Sequence, residues 1–308
     1  MSSLQEWCQT ETSSSVLQCL LSVLSKFDPK MCKKVAKYIT NEIFSEKLSD
    51  FAYQEPKIRL LETLIEVSAS DESMEKVHKH LFTTFFKGNI RNQCDGKSNQ
   101  IFKFSIQKLI QSCVQKEMFE EIYETELDEN INIFLESSSG ILLAIAQTCK
   151  RLKVKQAHFL VVCMKLILDF LKETKKIYHY FIFQALMKAL ECQENPEKQN
   201  KFLFYLTKLQ KSSEFSEETP VNLHGTLIAQ EILHFNKPIK LVNSILASDS
   251  EKLCQLLSDP RGCHITDAFM TSSTIGEKSR ESFIKVLQQN GLGNVIVNCD
   301  FKSFTFKE

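Results

Sequence analysis

Two stretches share one form: DPRGCHITDAFM at residues 259–270 and NLHGTLIAQEIL at residues 222–233. Each has a turn and a glycine, followed by a helical pattern with a polar anchor one turn in, at Asp267 and Gln230 respectively. Glycine marks turns, and apolar residues at a period of 3.6 indicate helices. A repeated form of this kind predicts stacked helical units that bury a core together.

Weaker versions of this helix opening recur toward the N-terminus. They are TSSSVLQCLL at 12–21, EPKIRLLETLIEV at 55–67, SNQIFKFSIQKLI at 98–110, SSGILLAIAQTC at 138–149 and IYHYFIFQALMKAL at 177–190. Their anchor positions are Gln18, Glu62, Gln107, Ile145, Gln184, Gln230 and Asp267, which are 37 to 46 residues apart. The sequence therefore predicts an all-α array of about seven repeats over residues 1–288, with an irregular tail at 289–308.

Composition supports helices and a globular core. Only 8 glycines and 6 prolines occur in 308 residues, too few for a chain with many tight β-turns, and 43% of the residues are hydrophobic. The longest apolar run, at 158–171, contains Lys165 and Asp169 and is too short for a bilayer span. No secretory signal is visible, so a reducing compartment is expected and the cysteines are interpreted as core-packing thiols. The thiols singled out are Cys19, Cys113, Cys149, Cys163 and Cys254.

The sequence contains no motif typical of an enzyme or a metal site. It lacks a G-x-S-x-G elbow, a glycine-rich phosphate loop with a following lysine, an H-E-x-x-H helix and any C-x-x-C pair. We therefore expect no catalysis, no cofactor and no metal. The net charge is zero, from 38 basic and 38 acidic side chains, which excludes a globally cationic nucleic-acid binder.

The glycine-led opening followed by Gln, Glu or Asp resembles the RNA-facing helix of the Pumilio-repeat family. The blocks LHGTLIAQEILHF and SDPRGCHITDAFMTS are similar to the nucleolar branch of that family. This resemblance implies a right-handed α-solenoid that binds RNA, with pre-ribosomal RNA as ligand and a role in small-subunit rRNA maturation in the nucleolus. It also implies possible pre-ribosomal protein partners, no membrane and no small-molecule substrate. Because members of the branch are longer, a partial array is expected.

In Pumilio repeats two side chains one turn apart read a base edge, and the residue after the first stacks on the base. By resemblance, this assigns a triplet of RNA-binding residues to most repeats. The assigned residues are Ser14, Ser15 and Gln18; Lys103, Phe104 and Gln107; Thr226, Leu227 and Gln230; and Cys263, His264 and Asp267. In the second repeat Arg59 and Glu62 are expected to contact RNA without reading a base edge by paired hydrogen bonds. The fourth repeat, with Ile141, Leu142 and Ile145, cannot read one either.

Two alternatives remain open from the sequence. Each polar anchor could be only the exposed side of an amphipathic helix, and the whole chain could be a protein-binding scaffold of the HEAT or armadillo type, whose repeats have a similar length. Charge distinguishes the readings, because a neutral chain holds a polyanion only where its cations are segregated. We expect the basic clusters at 33–37 and 150–155 to flank the RNA-facing row and the acidic run at 117–129 to lie away from it. A third basic cluster is Lys172, Lys175 and Lys176.

Overall fold

The computed structural model describes residues 8–44, 53–69, 72–94, 100–131, 133–134, 138–163, 221–248 and 250–289. Within these ranges every regular element is a helix. The chain divides into two compact units, Met1–Thr148 and Cys149–Glu308. The anchor Gln184, the cluster at 172–176 and nearly all of the predicted tail lie outside the described residues.

The first two helices begin where the sequence supplies caps. Helix α1 (Glu11–Phe27) starts after Thr10, whose side chain accepts a hydrogen bond from the Ser13 amide. Helix α2 (Pro29–Ile43) starts after Asp28, whose carboxylate accepts from the Met31 amide at 3.0 Å. A proline in the first turn loses no intrahelical hydrogen bond, so Pro29 sets the start of α2 at no cost.

The remaining helices of the first unit follow as two further repeats and part of a fourth. Helices α3 (Glu55–Ala69) and α4 (Glu75–Leu81) form the second repeat, and α4 continues into a π-helical turn at Phe82–Phe86. The third repeat contains α5 (Ile90–Cys94), α6 (Gln100–Ser112) and α7 (Lys116–Ile122), which also continues into a π-helical turn, at Tyr123–Leu127. Helix α8 (Ser139–Leu152) begins the fourth repeat.

The second unit contains the two repeats with the strongest sequence pattern. Residues 156–163 are helical, and beyond the undescribed segment come α9 (Leu223–Leu233) and α10 (Ile239–Leu246). Helices α11 (Ser250–Ser258), α12 (His264–Thr271) and α13 (Glu277–Gln289) form the last described repeat. The side chain of Asn222 caps α9 by accepting from the Gly225 amide at 2.9 Å.

The helices form two layers in each unit. In the first unit α1 packs along α3 and α3 along α6, whereas α2 packs on α4. In the second unit α9 packs along α12 and α10 along α13. We call α1, α3, α6, α8, α9 and α12 the anchor helices, because they carry the polar anchors or their apolar equivalent. We call α2, α4, α7, α10 and α13 the outer helices.

The core between the layers is aromatic and aliphatic. Phe86 stacks on Phe102 with ring centroids 5.2 Å apart, and in the second unit Phe269 stacks on Phe283 at 4.3 Å. Cys113, Cys149 and Cys163 are buried thiols as expected, and burial raises the pKa of Cys163 to about 12. The expectation was wrong for Cys19, which is exposed on α1 because it lies on the side of the helix away from the core residues Leu17 and Leu21.

Candidate nucleic-acid interface

The sequence-predicted site residues all lie on anchor helices or the turns that precede them. Three adjacent helices of the first unit, α1, α3 and α6, carry the triplets of repeats one to three, and α9 and α12 carry those of repeats six and seven. Helices packed side by side place their axes about 8–10 Å apart. Each unit therefore presents its predicted residues as a row that crosses its packed anchor helices.

The middle residue of the triplet forms the exposed part of this row in repeats one, two, three and seven. Ser15, Arg59 and Phe104 are exposed on the three adjacent helices of the first unit, and Phe104 keeps 53% of its surface in solvent. In the second unit His264 is exposed and Leu227 is half-buried. These are the positions assigned to base stacking, and in both units they point away from the core.

The third residue of each triplet lies beside the exposed one, at the edge of the helix interface. Gln18, Gln107, Gln230 and Asp267 are half-buried. The amide of Gln18 donates to the Ser14 hydroxyl at 3.0 Å, and the amide of Gln107 lies against Gly140 of the next anchor helix, α8. Asp267 accepts from the His264 ring at 3.4 Å, if the ring nitrogen carries the proton. These polar groups are therefore held beside the exposed residues of the row.

A side chain that reads a base edge must be accessible, but the first residues of three triplets are not. Ser14, Lys103 and Thr226 are buried, with 0%, 3% and 0% of their surface exposed. Ser14 donates to the Pro56 carbonyl on α3 at 2.6 Å, and Thr226 donates to the Leu223 carbonyl of its own helix at 2.8 Å. A residue directly before the exposed position is rotated by about 100° around the helix, which turns it into the interface with the neighbouring repeat.

Repeats four and seven differ most in the burial of the first triplet residue. Ile141 and the other two residues of the fourth triplet, Leu142 and Ile145, are buried, as their apolar character requires. Cys263, in contrast, is half-buried in the turn before α12 and donates to the Pro260 carbonyl at 3.3 Å. Among the first triplet residues of the described repeats, Cys263 is therefore the one that keeps a partly exposed side chain.

Glu62 connects the row to the repeat interface. It is 8% exposed, and one carboxylate oxygen accepts from the Ser105 hydroxyl of α6 at 3.1 Å while the other pairs with Arg59 at 3.1 Å. Arg59 also pairs with Glu55 at 3.4 Å. Partial burial alone would lower the pKa of Arg59, but the two carboxylates outweigh it and raise the pKa. The result is a cation held on the exposed row by two acids.

A series of polar contacts joins neighbouring anchor helices, and the sequence analysis missed it. In the first unit Lys108 pairs with Glu66 at 3.3 Å, and Thr148 donates to the Ile110 carbonyl at 3.0 Å. In the second unit Ser272 donates to the Leu233 carbonyl at 2.7 Å. The bonded residues are 38 to 42 positions apart, which is about one repeat. Thr148 and Ser272 are buried, whereas Lys108 and Glu66 are partly exposed. A hydroxyl residue that lies about one repeat after a core residue is therefore the signal that could have revealed the two buried contacts.

The two described basic clusters lie in different helical layers. Lys33, Lys34 and Lys37 lie on the outer helix α2, so they share the outer layer with the acidic run on α7 and its continuation. This corrects the expectation for that cluster, because α2 turns those lysines away from its packing contacts with α1 and α3. The acidic run does lie off the anchor helices, where Glu121 pairs with Lys79 at 3.3 Å.

The second basic cluster lies at the end of an anchor helix. Lys150 and Arg151 occupy the last turn of α8, and Lys153 and Lys155 follow in a turn where both have positive φ. Lys150 pairs with Glu231 of α9. Together with burial, which is the main cause, the charge of Lys150 lowers the pKa of the neighbouring His234. This cluster therefore belongs to the anchor-helix layer and not to the outer layer.

The geometry agrees with the comparisons to known proteins. A family model described as the NOP9-like PUF repeat domain matches residues 1–293. The chain belongs to the NOP9-like PUF repeat family. PUF repeats are Pumilio repeats, so the expected fold, an α-solenoid of Pumilio-like repeats, and the expected nucleolar protein 9 branch are both confirmed. The HEAT or armadillo alternative is not favoured.

Relatives and solved structures extend beyond this chain. Nucleolar protein 9 from Mus musculus is 22% identical over 305 residues, covering 90% of this chain and 43% of the relative; the Homo sapiens protein is also 22% identical, with the same coverage. One solved structure that matches is APUM23 without its insert region, with GGAAUUGACGG. Its TM-score is 0.63 at 21% identity, and the match covers 92% of this chain and 52% of the other. A second APUM23 structure, with GGAGUUGACGG, matches with a TM-score of 0.63 at 20% identity and covers 92% of this chain and 50% of the other. The NOP9-like chain thus spans less than half the length of the curated relatives.

Two other classes of site receive no support from the described residues. Among them no group of three or more His, Cys, Asp or Glu side chains is arranged to hold a metal ion. No helix in the described ranges is both long and apolar enough to cross a bilayer.

Proposed function

We propose that this NOP9-like chain binds single-stranded RNA along its anchor helices, acts in the nucleolus on pre-ribosomal RNA during small-subunit rRNA maturation, and performs no chemistry of its own. Family membership, relatives named Nucleolar protein 9 and the RNA named with the solved APUM23 structures support this proposal. Pre-ribosomal proteins are the expected protein partners.

One observation carries the RNA-binding proposal. Ser15, Arg59 and Phe104 are exposed at the same repeat position on three helices that pack side by side. Pumilio-type arrays bind one base per repeat, using side chains on one helix of each repeat. A row with one exposed residue per helix has the spacing that this mode of binding requires. Gln18 and Gln107 then lie one helical turn from the first residue of their triplets and supply amide groups for base edges.

The second unit carries its own set of residues for the proposed interface. His264 provides an exposed ring for stacking, and Gln230 and Asp267 provide polar groups beside the stacking positions, with Leu227 and Cys263 completing the triplets. The four cations at 150–155 would contact phosphates. Because several triplets have buried first residues, we expect modest sequence preference and a large contribution from phosphate contacts.

The first test removes the exposed aromatic ring of the row. Phe104→Ala should weaken binding of GGAAUUGACGG by about 5- to 150-fold, since stacking of one base contributes roughly 1–3 kcal/mol. The control is Tyr38→Ala, because Tyr38 on the outer helix α2 is 56% exposed, close to the 53% of Phe104. Fluorescence anisotropy measures both affinities. Equal effects of the two substitutions would contradict the row as the RNA interface.

The second test separates phosphate contacts from base contacts. Replacing Lys150, Arg151, Lys153 and Lys155 with Glu should weaken binding of all RNAs and flatten the dependence of affinity on salt, since each phosphate contact contributes to that slope. Gln230→Ala should instead change preference among RNAs more than overall affinity. The charge-matched control replaces with Glu four exposed lysines of the outer helices α2 and α4, at 30, 34, 37 and 76, and should leave the salt slope unchanged. An unchanged salt slope in the first variant would remove this cluster from the proposal.

The nucleolar part of the proposal needs a separate comparison. Structured fragments of pre-ribosomal RNA and unrelated RNAs of equal length should be titrated at several salt concentrations. Tighter binding of the pre-ribosomal fragments at every concentration is expected. Equal binding of both sets would leave a general RNA binder and contradict the pre-ribosomal assignment.

A further inference from the structure

The first repeat carries an exposed apolar surface that the RNA row does not use. On α1, Val16, Leu20, Val23 and Phe27 are 53%, 43%, 53% and 82% exposed, and on α2 Met31 and Tyr38 are 45% and 56% exposed. We call these six residues the end face. The spacing of the four residues on α1 is 4-3-4, which is the spacing of a seam that packs against another helix.

The end face lies on the side of α1 opposite its packed neighbour. Ser14 points toward α3, because its hydroxyl donates to the Pro56 carbonyl. Val16 follows two residues later and is therefore rotated by about 200° around the helix. Ser15 and Gln18 of the RNA row lie on the remaining side. Helix α1 thus has three separate surfaces: the core, the RNA row and the end face.

The equivalent positions of the second repeat are helix-packing positions. The anchors Gln18 and Glu62 are 44 residues apart, so Val16, Leu20 and Val23 correspond to Leu60, Leu64 and Val67. These three residues on α3 are buried, with 0%, 0% and 5% of their surface exposed, in a repeat whose anchor helix packs along α1. No described residue covers the same positions of α1. The end face therefore has the composition of a repeat interface but has no repeat packed on it in the described residues.

We propose that a second copy of this chain packs on the end face and forms a homodimer. The six residues are uncharged, and the chain has zero net charge, so no net long-range repulsion opposes the approach of two copies. On α2, Lys30 and Lys37 are each one residue from Met31 and Tyr38, about 100° around the helix, and so lie beside the end face.

The size of the end face fits a dimer. Six side chains that are on average half exposed, each offering on the order of 200 Å² when free, give about 600 Å² per copy. Two copies would bury about 1,200 Å², which is the lower limit for specific, stable interfaces. Exposed apolar patches larger than a few hundred Å² are uncommon on monomers and mark interaction sites.

Sedimentation velocity over a concentration series up to roughly 100 µM tests this proposal, since interfaces of this size commonly have micromolar affinity or better. The unaltered chain should sediment as a dimer that dissociates on dilution. The double variant Val16→Glu, Val23→Glu should raise the dissociation constant at least about 100-fold, because it buries charges in the interface. The control Val114→Glu changes a valine of equal exposure, 52%, outside the end face and should leave the dimer unchanged.

Glu has a higher helix propensity than Val, so the double variant should keep the helical circular-dichroism spectrum of the unaltered chain. Phe27→Ala is the milder second variant, and it should weaken the dimer several-fold because Phe27 is the most exposed residue of the end face. A monomer throughout the series, which would leave the end face to another occupant, overturns the proposal. So does a dimer that neither end-face variant weakens.

Discussion

Gly262→Ala is the sharpest test of the repeat turn that distinguishes this family. Gly262 lies in the turn between α11 and α12, where its amide donates to the Asp259 carbonyl at 2.9 Å. A Cβ atom built on Gly262 would lie 1.9 Å from the Leu256 carbonyl oxygen, whereas real Cβ contacts are essentially never under 3.0 Å. The turn or the end of α11 must therefore move by at least 1.1 Å. The obstacle is backbone, so no side-chain rotation can relieve it.

Overpacking of this kind costs about 1–3 kcal/mol, and we expect the upper part of that range because the displaced group is a carbonyl. Urea unfolding followed by circular dichroism measures the loss as a lower midpoint at unchanged slope. The control is Gly276→Ala, because no atom lies within 4 Å of its added Cβ and its φ is not in the left-handed region. That substitution should be neutral or stabilise by about 0.4–1 kcal/mol. Equal midpoints for the two variants would refute the close-packed turn.

Three further predictions concern buried polar groups. Burial lowers the pKa of His78 to about 4, so between pH 6.5 and 4 only the unfolded chain binds a proton at this residue. The free energy of unfolding should therefore fall by about 3 kcal/mol as the pH drops through this window. His78→Gln should remove this part of the pH dependence, as measured by urea unfolding. Burial raises the pKa of Glu126, outweighing the hydrogen bond from the Gly88 amide and the charge of a nearby lysine. Its contribution is therefore present in acid and lost as pH rises through the folded pKa, and Glu126→Gln should flatten that loss in acid-to-neutral unfolding curves. Ser272→Ala should cost about 1 kcal/mol, because it removes the 2.7 Å hydrogen bond to the buried Leu233 carbonyl and leaves only the longer bond from the Thr274 hydroxyl, at 3.4 Å. No measurable loss of stability in urea would contradict the role of the Ser272 bond.

The helices and the repeat period could be predicted from the sequence because the features that determine them are local. Asp28, directly before Pro29, caps α2, and Asn222 caps α9. The glycine turn before α12 is required by the close approach of the Leu256 carbonyl. Apolar spacing and polar anchors then give the period of about forty residues. All of these features act within one or two helical turns of the chain.

The orientation of short polar residues could not be read in the same way. Ser14 and Ser15 are chemically identical neighbours, but Ser14 is buried because its hydroxyl meets a carbonyl 42 residues later, whereas Ser15 is exposed. Only the packing of a neighbouring repeat decides between them. The prediction that the lysines at 33–37 flank the RNA-facing row was wrong for a related reason. A cluster of charges in the sequence does not specify which helical layer carries it.

Photo-crosslinking with thiouridine-substituted RNA, followed by mass spectrometry of the crosslinked peptides, tests the central claim most directly. The account predicts crosslinks on α1, α3 and α6 at or beside the exposed residues Ser15, Arg59 and Phe104, and on α9 and α12 beside Gln230 and His264. Crosslinks confined to the outer helices α2, α4, α7, α10 and α13 would contradict it.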